Sequence, residues 1–313
     1  MTGTLELMPI VSIISVNFNQ PEVTGEMIDS LMKISYPEVE IIVVDNGSFV
    51  GNIEEVLLKY PTVKLIKSTE NLGFAGGNNL GIRQAKGDFI LLLNNDTEVD
   101  PGFLWPLVKK CLDDPKIGIV SPKIYFFHTP GMLQYTGVSD ISTLTTRSFG
   151  WGCYKKDEGQ FEEDKETFFG HGAAMLVPRK VIEEVGMMAE VFFLYYEEMD
   201  WCKRIRNAGY KIFYVHNSVV YHKESITTGK DSPNKTYYLN RARILYMRRN
   251  VHGIKALLAF TYQVCVAVPK NMAVFLLKGK PKHLKAYCKA IFWNLKNLSN
   301  KAIYVSPTLI EQS

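Results

Sequence analysis

Two glycine signatures of phosphate binding are missing from this sequence of 313 residues. No G-x-G-x-x-G follows the first apolar run, and no G-x-x-x-x-G-K-[ST] occurs anywhere. Dinucleotide-binding Rossmann enzymes and P-loop enzymes therefore lose most of their claim. Cysteine is scarce: Cys111, Cys153, Cys202, Cys265 and Cys288 are scattered, odd in number and form no C-x-x-C pair. That argues against a disulfide scaffold or a zinc site and fits a reducing compartment. Met1 to Ile10 lacks the basic flank of a secretory signal, so the glycosylation sequons beginning at Asn46, Asn95, Asn234 and Asn297 carry little weight. Acid is missing from one long stretch. Residues 235–301 hold 14 Lys+Arg and no Asp or Glu, whereas residues 1–234 hold 22 Lys+Arg against 31 Asp+Glu. The formal net charge of +4 conceals this asymmetry, which points to a C-terminal part that meets an anionic surface.

What is present is an ordinary globular composition, 46% hydrophobic and 22% charged, long enough for one large domain or two small ones. Ile10–Phe18, apolar and β-branched, and Phe89–Leu93, an uninterrupted apolar run, read as buried strands, and Glu40–Val44 and Val63–Lys67 as strands between them. Helices are expected between them: from Pro21 to about Ile34, up to about Tyr60, and from the Gly/Asn loop Asn71–Asn79 to near Gly87. Such alternation predicts an α/β fold with a mostly parallel, doubly wound sheet. A helix to about Leu112 and a strand Ile117–Val120 follow. Residues 127–168 read as irregular, a length that is usually functional or mobile. Gly170–Val177 reads as a tight loop entering a strand, and Glu197 to about Ala208 as a helix stopped by Gly209. Met199, Cys202 and Ile205 share its buried face. Lys211–Val215 and Ser218–Tyr221 read as two short strands, and three basic helices are expected near Lys235–Asn250, Ile254–Leu277 and Lys282–Leu298.

Ligands in open α/β sheets collect at the carboxyl ends of the strands. The run Phe89–Leu93 leads straight into Asn94-Asn95-Asp96, so Asp96 stands where a carboxylate can hold Mg²⁺ or Mn²⁺ jointly with substrate phosphates. Asn and Asp also favour turns on their own, and the stretch by itself is open between the two readings.

The ordered pieces VSIISVNFN (Val11–Asn19), VVDNGS (Val43–Ser48), NLGFAGGNN (Asn71–Asn79), LLNNDTEV (Leu92–Val99), GAAM (Gly172–Met175) and YEEMDWCKRIRNAG (Tyr196–Gly209) resemble family-2 inverting glycosyltransferases of the GT-A fold, in their rhamnosyltransferase-like branch. The resemblance spans Ile10 to His222. It implies a catalytic domain over 1–230, with a nucleotide-sugar half (1–100) and an acceptor half (101–230), and a basic helical extension over 231–313. It implies donor contacts from Asn17, Asp45, Asn46, Asn71, Gly76, Gly77, Asn78, Asn94 and Asn95, with Asp45 at the nucleotide base. Asn94-Asn95-Asp96 takes the place of a D-x-D motif, leaving Asp96 as the main metal ligand, with His222 assisting. Glu197-Glu198 aligns with a Glu-Asp pair whose second acid is the catalytic base. Here that position is Glu198, a departure from the usual Asp. Gly172, Ala173 and Asp200 are implied on the acceptor side, which would open toward Phe127–Phe168.

The residues leave other readings open. Asp45 suits an Asx turn, and Glu197, Glu198 and Asp200 are first-turn acids favoured by the helix dipole. Arg204 lies at i+4 from Asp200 and can pair with it. His222 also reads as a satisfied strand-end histidine, and His171 reads better as structural than as catalytic. The activity implied is metal-dependent transfer of a sugar, dTDP-rhamnose being the branch's donor, to a glycan or lipid-linked acceptor in cell-surface polysaccharide synthesis. The place implied is cytoplasmic, peripheral on the inner face of the cell membrane. Its rivals are a non-catalytic sugar-nucleotide or glycan-binding protein and a nucleotidyltransferase. Basic helices also occur in nucleic-acid binders, but no nucleic acid is expected, since that would leave the acidic motifs unexplained. The C-terminal region is expected to lie on an anionic membrane surface without crossing it. Ala256–Pro269 is free of charge but shorter than the roughly twenty residues a spanning helix needs.

Overall fold

The computed structural model of the protein describes residues 8–224 and 231–304. Its centre is one sheet. Strands β1 (Val11–Asn17), β2 (Val39–Asn46), β3 (Lys64–Ser68) and β4 (Phe89–Leu93) form a parallel half in the order β3-β2-β1-β4. All five residues of β4 are buried, as its uninterrupted apolar run requires when helices cover both faces. Helices α1 (Pro21–Leu31), α2 (Ile53–Leu57) and α3 (Gly73–Gln84) make the crossovers. The Gly/Asn stretch expected as a loop is the opening two turns of α3. Small residues let the helix lie against the sheet: a Cβ on Gly77 would stand 2.9 Å from Val16 Cγ1, and one on Gly81 would stand 2.4 Å from Ile14 Cγ2.

After β5 (Thr97–Val99) and α4 (Leu104–Asp113) the sheet continues with β6 (Ile117–Phe126), β7 (Leu133–Tyr135), β8 (Lys165–Thr167) and β9 (Ala174–Pro178). β9 enters antiparallel between β4 and β6. Helices α5 (Arg179–Val185) and α6 (Glu197–Asn207) precede β10 (Lys211–His222). The two short strands expected here are one strand, parallel to β6, with a register shift between Val215 and Val219. The bulge re-aims its last residues toward the strand ends of the parallel half.

Helix α7 (Pro233–Asn250) packs on the body rather than standing apart. Its Ala242, Leu245 and Tyr246 form one buried cluster with Ala189, Phe192 and Tyr196. Arg241 donates to the Val191 and Phe192 carbonyls at 2.8 and 2.6 Å, and Arg249 pairs with Asp200 at 2.8 Å. These cations are internal struts, not a solvated face. The boundary expected at 230–231 adjoins residues 225–230, which lie outside the described residues. Next come α8 (Gly253–Tyr262), a π turn at Gln263–Ala267, α9 (Val268–Leu277) and α10 (Pro281–Lys296). Pro269 lacks an N–H, and the π turn lets the helix pass it without stopping. The result is one helix of 25 residues, Gly253–Leu277, long and apolar enough to cross a membrane by length and composition. The length argument against a crossing therefore falls: Ala256–Pro269 is only part of a longer helix.

Candidate functional site

The carboxyl ends of β1, β2 and β4, the start of α3, the loop before β9 and the start of α6 surround one cleft of about 430 Å³. Asn46, Asn71, Asn78, Asn94, Asn95, Asp96, Gly172, Ala173, Glu197, Glu198 and His222 all line it. Residues read from five separate motifs, together with His222, therefore meet in one place.

Asn46 and Asn71 build the turn into α3. Asn46 Nδ2 donates to Asn71 Oδ1 at 3.1 Å and to the Gly73 carbonyl at 3.0 Å, and Asn46 Oδ1 accepts from the Leu72 amide at 3.0 Å. Asn17 and Asp45 stand just behind the cleft. Asn17 Nδ2 donates to Asp45 Oδ1 at 2.9 Å, Thr24 Oγ1 donates to Asn17 Oδ1 at 3.0 Å, and Asn95 Nδ2 donates to Thr24 Oγ1 at 3.1 Å. This chain of bonds fixes the ends of three neighbouring segments relative to one another.

Gly76 and Gly77 do not line the cleft. They are buried where α3 meets its surroundings, and a Cβ on Gly76 would stand 2.7 Å from Leu72 Cβ. Their reading as donor contacts is replaced by a packing role. Asp200 is likewise corrected. It is 1% exposed and held by Arg204, Arg249 and Asn250, at 3.2, 2.8 and 2.9 Å, so the ion-pair reading prevails over the acceptor one.

Asp96 and His222 meet at the far wall, with Asp96 Oδ1 3.0 Å from His222 Nε2. His222 Nδ1 lies 2.8 Å from Gln134 Oε1, an acceptor, so the ring donates there. In the neutral ring Nε2 then carries a lone pair that faces a carboxylate, and two such acceptors need a proton or a cation between them. The pair therefore fits a divalent cation. Among the described residues no group of three or more His, Cys, Asp or Glu forms a metal cluster. Two protein ligands completed by substrate phosphates is the usual pattern for Mg²⁺. Gln134, which orients His222, is the middle residue of β7, inside the stretch expected to be irregular, and carries no sequence signal. His171 is buried, its pKa pushed down to about 3 by burial and then by the neighbouring His222. Its Nδ1 accepts from the Ala173 amide at 3.1 Å. It is a neutral structural residue, as its sequence context favoured.

Across the cleft, α6 begins with the two acids. Glu197 is 3% exposed, Glu198 is partly open to the cleft, and an oxygen of each (Oε2) is buried with no hydrogen-bond partner among the described residues. Burial raises the pKa of both, and the charge of Glu198 raises Glu197 well above the usual carboxylate range. Backbone amides favour the ionised form of both acids, but burial and the charge of Glu198 leave Glu197 the more strongly raised of the two. A proton held by the pair therefore belongs on Glu197, leaving Glu198 as the carboxylate. The approach to α6 is strained: Phe193, Tyr195 and Tyr196 all have φ between 65° and 69°. Such conformations persist only where the surroundings over-determine them. Here the Phe193 carbonyl accepts from the Phe74 amide at 2.6 Å, and its ring stacks on Tyr238 at 4.9 Å. Phe193, Leu194 and Tyr195 line the cleft too, though nothing in the sequence marked them.

Residues 12–186 match the family model described as glycosyl transferase family 2, more than half of the chain. An O-antigen biosynthesis protein of Myxococcus xanthus is 28% identical over 75% of the chain, which spans 19% of that relative's length. An N-acetylglucosaminyl-diphospho-decaprenol L-rhamnosyltransferase of Mycobacterium tuberculosis is 21% identical over 85% of this chain and 93% of its own. The solved structure of a mannosyltransferase from Pyrobaculum calidifontis, in complex with GDP-Man and Mn²⁺, covers 95% of this chain and 89% of its own at 15% identity, with a TM-score of 0.55. That likeness shows the fold, GT-A, with the helical C-terminal region described above.

Proposed function

We propose that this chain, which belongs to glycosyl transferase family 2, moves a hexosyl group from a nucleotide-diphosphate sugar to an acceptor hydroxyl, inverting the anomeric carbon, in polysaccharide synthesis. The single observation that carries this reading is the cleft itself. It sets two acids, each with an oxygen that has no partner among the described residues, across from an Asp–His pair that fits a cation. A sugar hydroxyl is far too weak an acid to ionise near neutral pH, so it needs a base within hydrogen-bond reach. Glu198 fills that role. Glu197 holds the shared proton and keeps the negative charge on its neighbour. Asp96 and His222 would hold Mg²⁺ or Mn²⁺, and the cation supplies positive charge against the departing diphosphate. Asp45 and the turn at Asn46–Asn71 would seat the nucleotide, while Asn94, Asn95 and Asn78 would face the sugar and phosphates; Asn17, fully buried, holds Asp45 from behind and is not itself a donor contact. Gly172 and Ala173 form the acceptor wall: a Cβ on Gly172 would stand 3.9 Å from Glu198 Cγ, so a larger residue would narrow the approach to the base.

The rhamnosyltransferase relative and the branch resemblance support dTDP-rhamnose as donor and a lipid-linked glycan as acceptor. A membrane-bound acceptor fits the C-terminal helices. Ile254, Leu257, Leu258, Phe260, Leu276 and Leu277 are each more than half exposed. Ala259 is buried beside Met247 and Val251 of the α7 end, and Asn271 donates to Tyr287 Oη of α10. These two contacts, one at each half of the long helix, hold it against α7 and α10, which favours lying in the headgroup plane at the inner face of the membrane, with lysines toward anionic lipid.

Turnover with a panel of nucleotide sugars and Mn²⁺ tests the reading. Release of nucleoside diphosphate that depends on acceptor, and is lost in Glu198→Gln, is expected. No turnover with any donor would leave a binding protein, and release of pyrophosphate would indicate a nucleotidyltransferase.

A further inference from the structure

We propose that a second cavity, walled by α7, α9 and α10, holds the diphosphate of the lipid-linked acceptor; where the attached sugar goes rests on the transferase reading above. The cavity has a volume of about 280 Å³ and is separate from the catalytic cleft, but Lys235 lines both. A sugar joined directly to a diphosphate keeps its hydroxyls a few bonds from the phosphorus. An anion site that serves such an acceptor must therefore open toward the base, and this cavity shares Lys235 with the cleft that Glu198 lines.

Its chemistry is that of an oxyanion site. Arg147, Lys235 and Arg243 bring three cations to it. Arg147 is exposed and has no side-chain partner among the described residues. The one acid at the rim, Asp231, is already matched by Lys280 at 2.5 Å, with His283 Nε2 at 3.7 Å. The neutral lining also offers donors. Tyr287 Oη accepts from Asn271 Nδ2 at 3.1 Å, which leaves the hydroxyl proton for a ligand. Guanidinium and ammonium groups flanked by such donors are what a diphosphate recruits.

The position explains why a lipid-borne diphosphate fits better than a free one. Leu239 and Phe275 complete the lining, and Phe275 belongs to the long apolar helix whose other face is exposed. An isoprenoid chain leaving the cavity would run along that helix toward the bilayer. The site also touches the catalytic apparatus: Arg243 Nε donates to Tyr196 Oη at 3.2 Å, and Tyr196 immediately precedes Glu197.

The test is a titration of the full chain with farnesyl diphosphate in EDTA, alongside inorganic pyrophosphate and farnesol. Farnesyl diphosphate is expected to saturate and to bind at least about tenfold more tightly than either control. Arg147→Glu should weaken it by about tenfold or more, the scale of one charge-assisted hydrogen bond. Arg243→Gln should do the same. The Arg147 side chain has no hydrogen-bond or ion-pair partner among the described residues, so its variant separates ligand binding from folding. Retained binding of a nucleotide sugar with Mn²⁺ confirms that the variant is folded. Unchanged farnesyl diphosphate affinity in both variants, equal affinity for pyrophosphate or farnesol, or no saturable binding would each overturn the assignment. If the wild type turns over no donor, the transferase reading fails while the titration still decides whether the cavity is a prenyl-diphosphate site.

Discussion

Gly73→Ala isolates how the catalytic segment is held. Gly73 has φ +72°, and a Cβ there would stand 2.2 Å from the Phe193 carbonyl oxygen and 2.7 Å from its Cδ2. Ordinary contact begins near 3.4 Å, so the Phe193 backbone must retreat by on the order of 1 Å. That retreat lengthens the 2.6 Å hydrogen bond from the Phe74 amide beyond useful range. Left-handed backbone costs alanine about 1–2 kcal/mol, the lost hydrogen bond about 1 kcal/mol, and the overpacking about 1–3 kcal/mol. A loss of about 3–6 kcal/mol in unfolding free energy is expected from urea melts. Gly131→Ala is the control, because Gly131 has the same φ of +72° but nothing within 4 Å of its Cβ position. It should cost only the backbone share, about 1–2 kcal/mol. Phe193 leads through Tyr195 and Tyr196 into Glu197 and Glu198, so misplacing it misplaces the base. Turnover in Gly73→Ala should fall by about 10²-fold, the usual effect of a 1 Å error at a reacting group. Equal stability losses in the two variants, with turnover preserved in Gly73→Ala, would refute the reasoning.

Asp96→Ala should abolish turnover and metal-dependent donor binding while leaving the circular dichroism spectrum unchanged; near-normal turnover with metal would remove Asp96 from the metal site. Glu198→Gln should keep donor binding, read by thermal shift, and lose about 10²–10⁴-fold in transfer; if Glu197→Gln shows that loss instead, the base is the earlier residue. The rate should fall on the acid side at a pH above 4.5, because burial raises the Glu198 pKa from that value and only the ionised form can take a proton. Glu197→Gln should stabilise the fold at neutral pH. Its raised folded-state pKa gives stability that is complete below the ordinary 4.5 and lost as pH rises through the raised value, and the amide removes that loss. Unfolding midpoints from pH 5 to 8 should therefore slope less in the variant. In co-sedimentation the protein should bind anionic vesicles, be released by salt, and lose binding on truncation near Asn234; equal binding to neutral vesicles would sink the interfacial reading.

The sequence by itself determined the parallel half of the sheet and most of the site. Its apolar runs match β1 to β4 within a residue or two, most sharply at β4, which is buried throughout and carries no polar residue. The strand ends of such a sheet are where side chains from distant motifs converge, so Asn46, Asp96 and their companions were legible before any coordinates. Tertiary structure alone decided which of them face the cleft. Gly76 and Gly77 look like a phosphate loop until α3 is seen pressed on the sheet, and Asp200 looks available until Arg249 arrives from 49 residues away. Gln134 has no periodic or motif context, so only the packed fold places it on His222. The C-terminal basic stretch shows the same division. Composition showed its charge, but not that Arg241 and Arg249 turn inward to hold the backbone and helix that carry the catalytic acids. A charge's partner depends on where the chain returns in space, and no local pattern of residues encodes that.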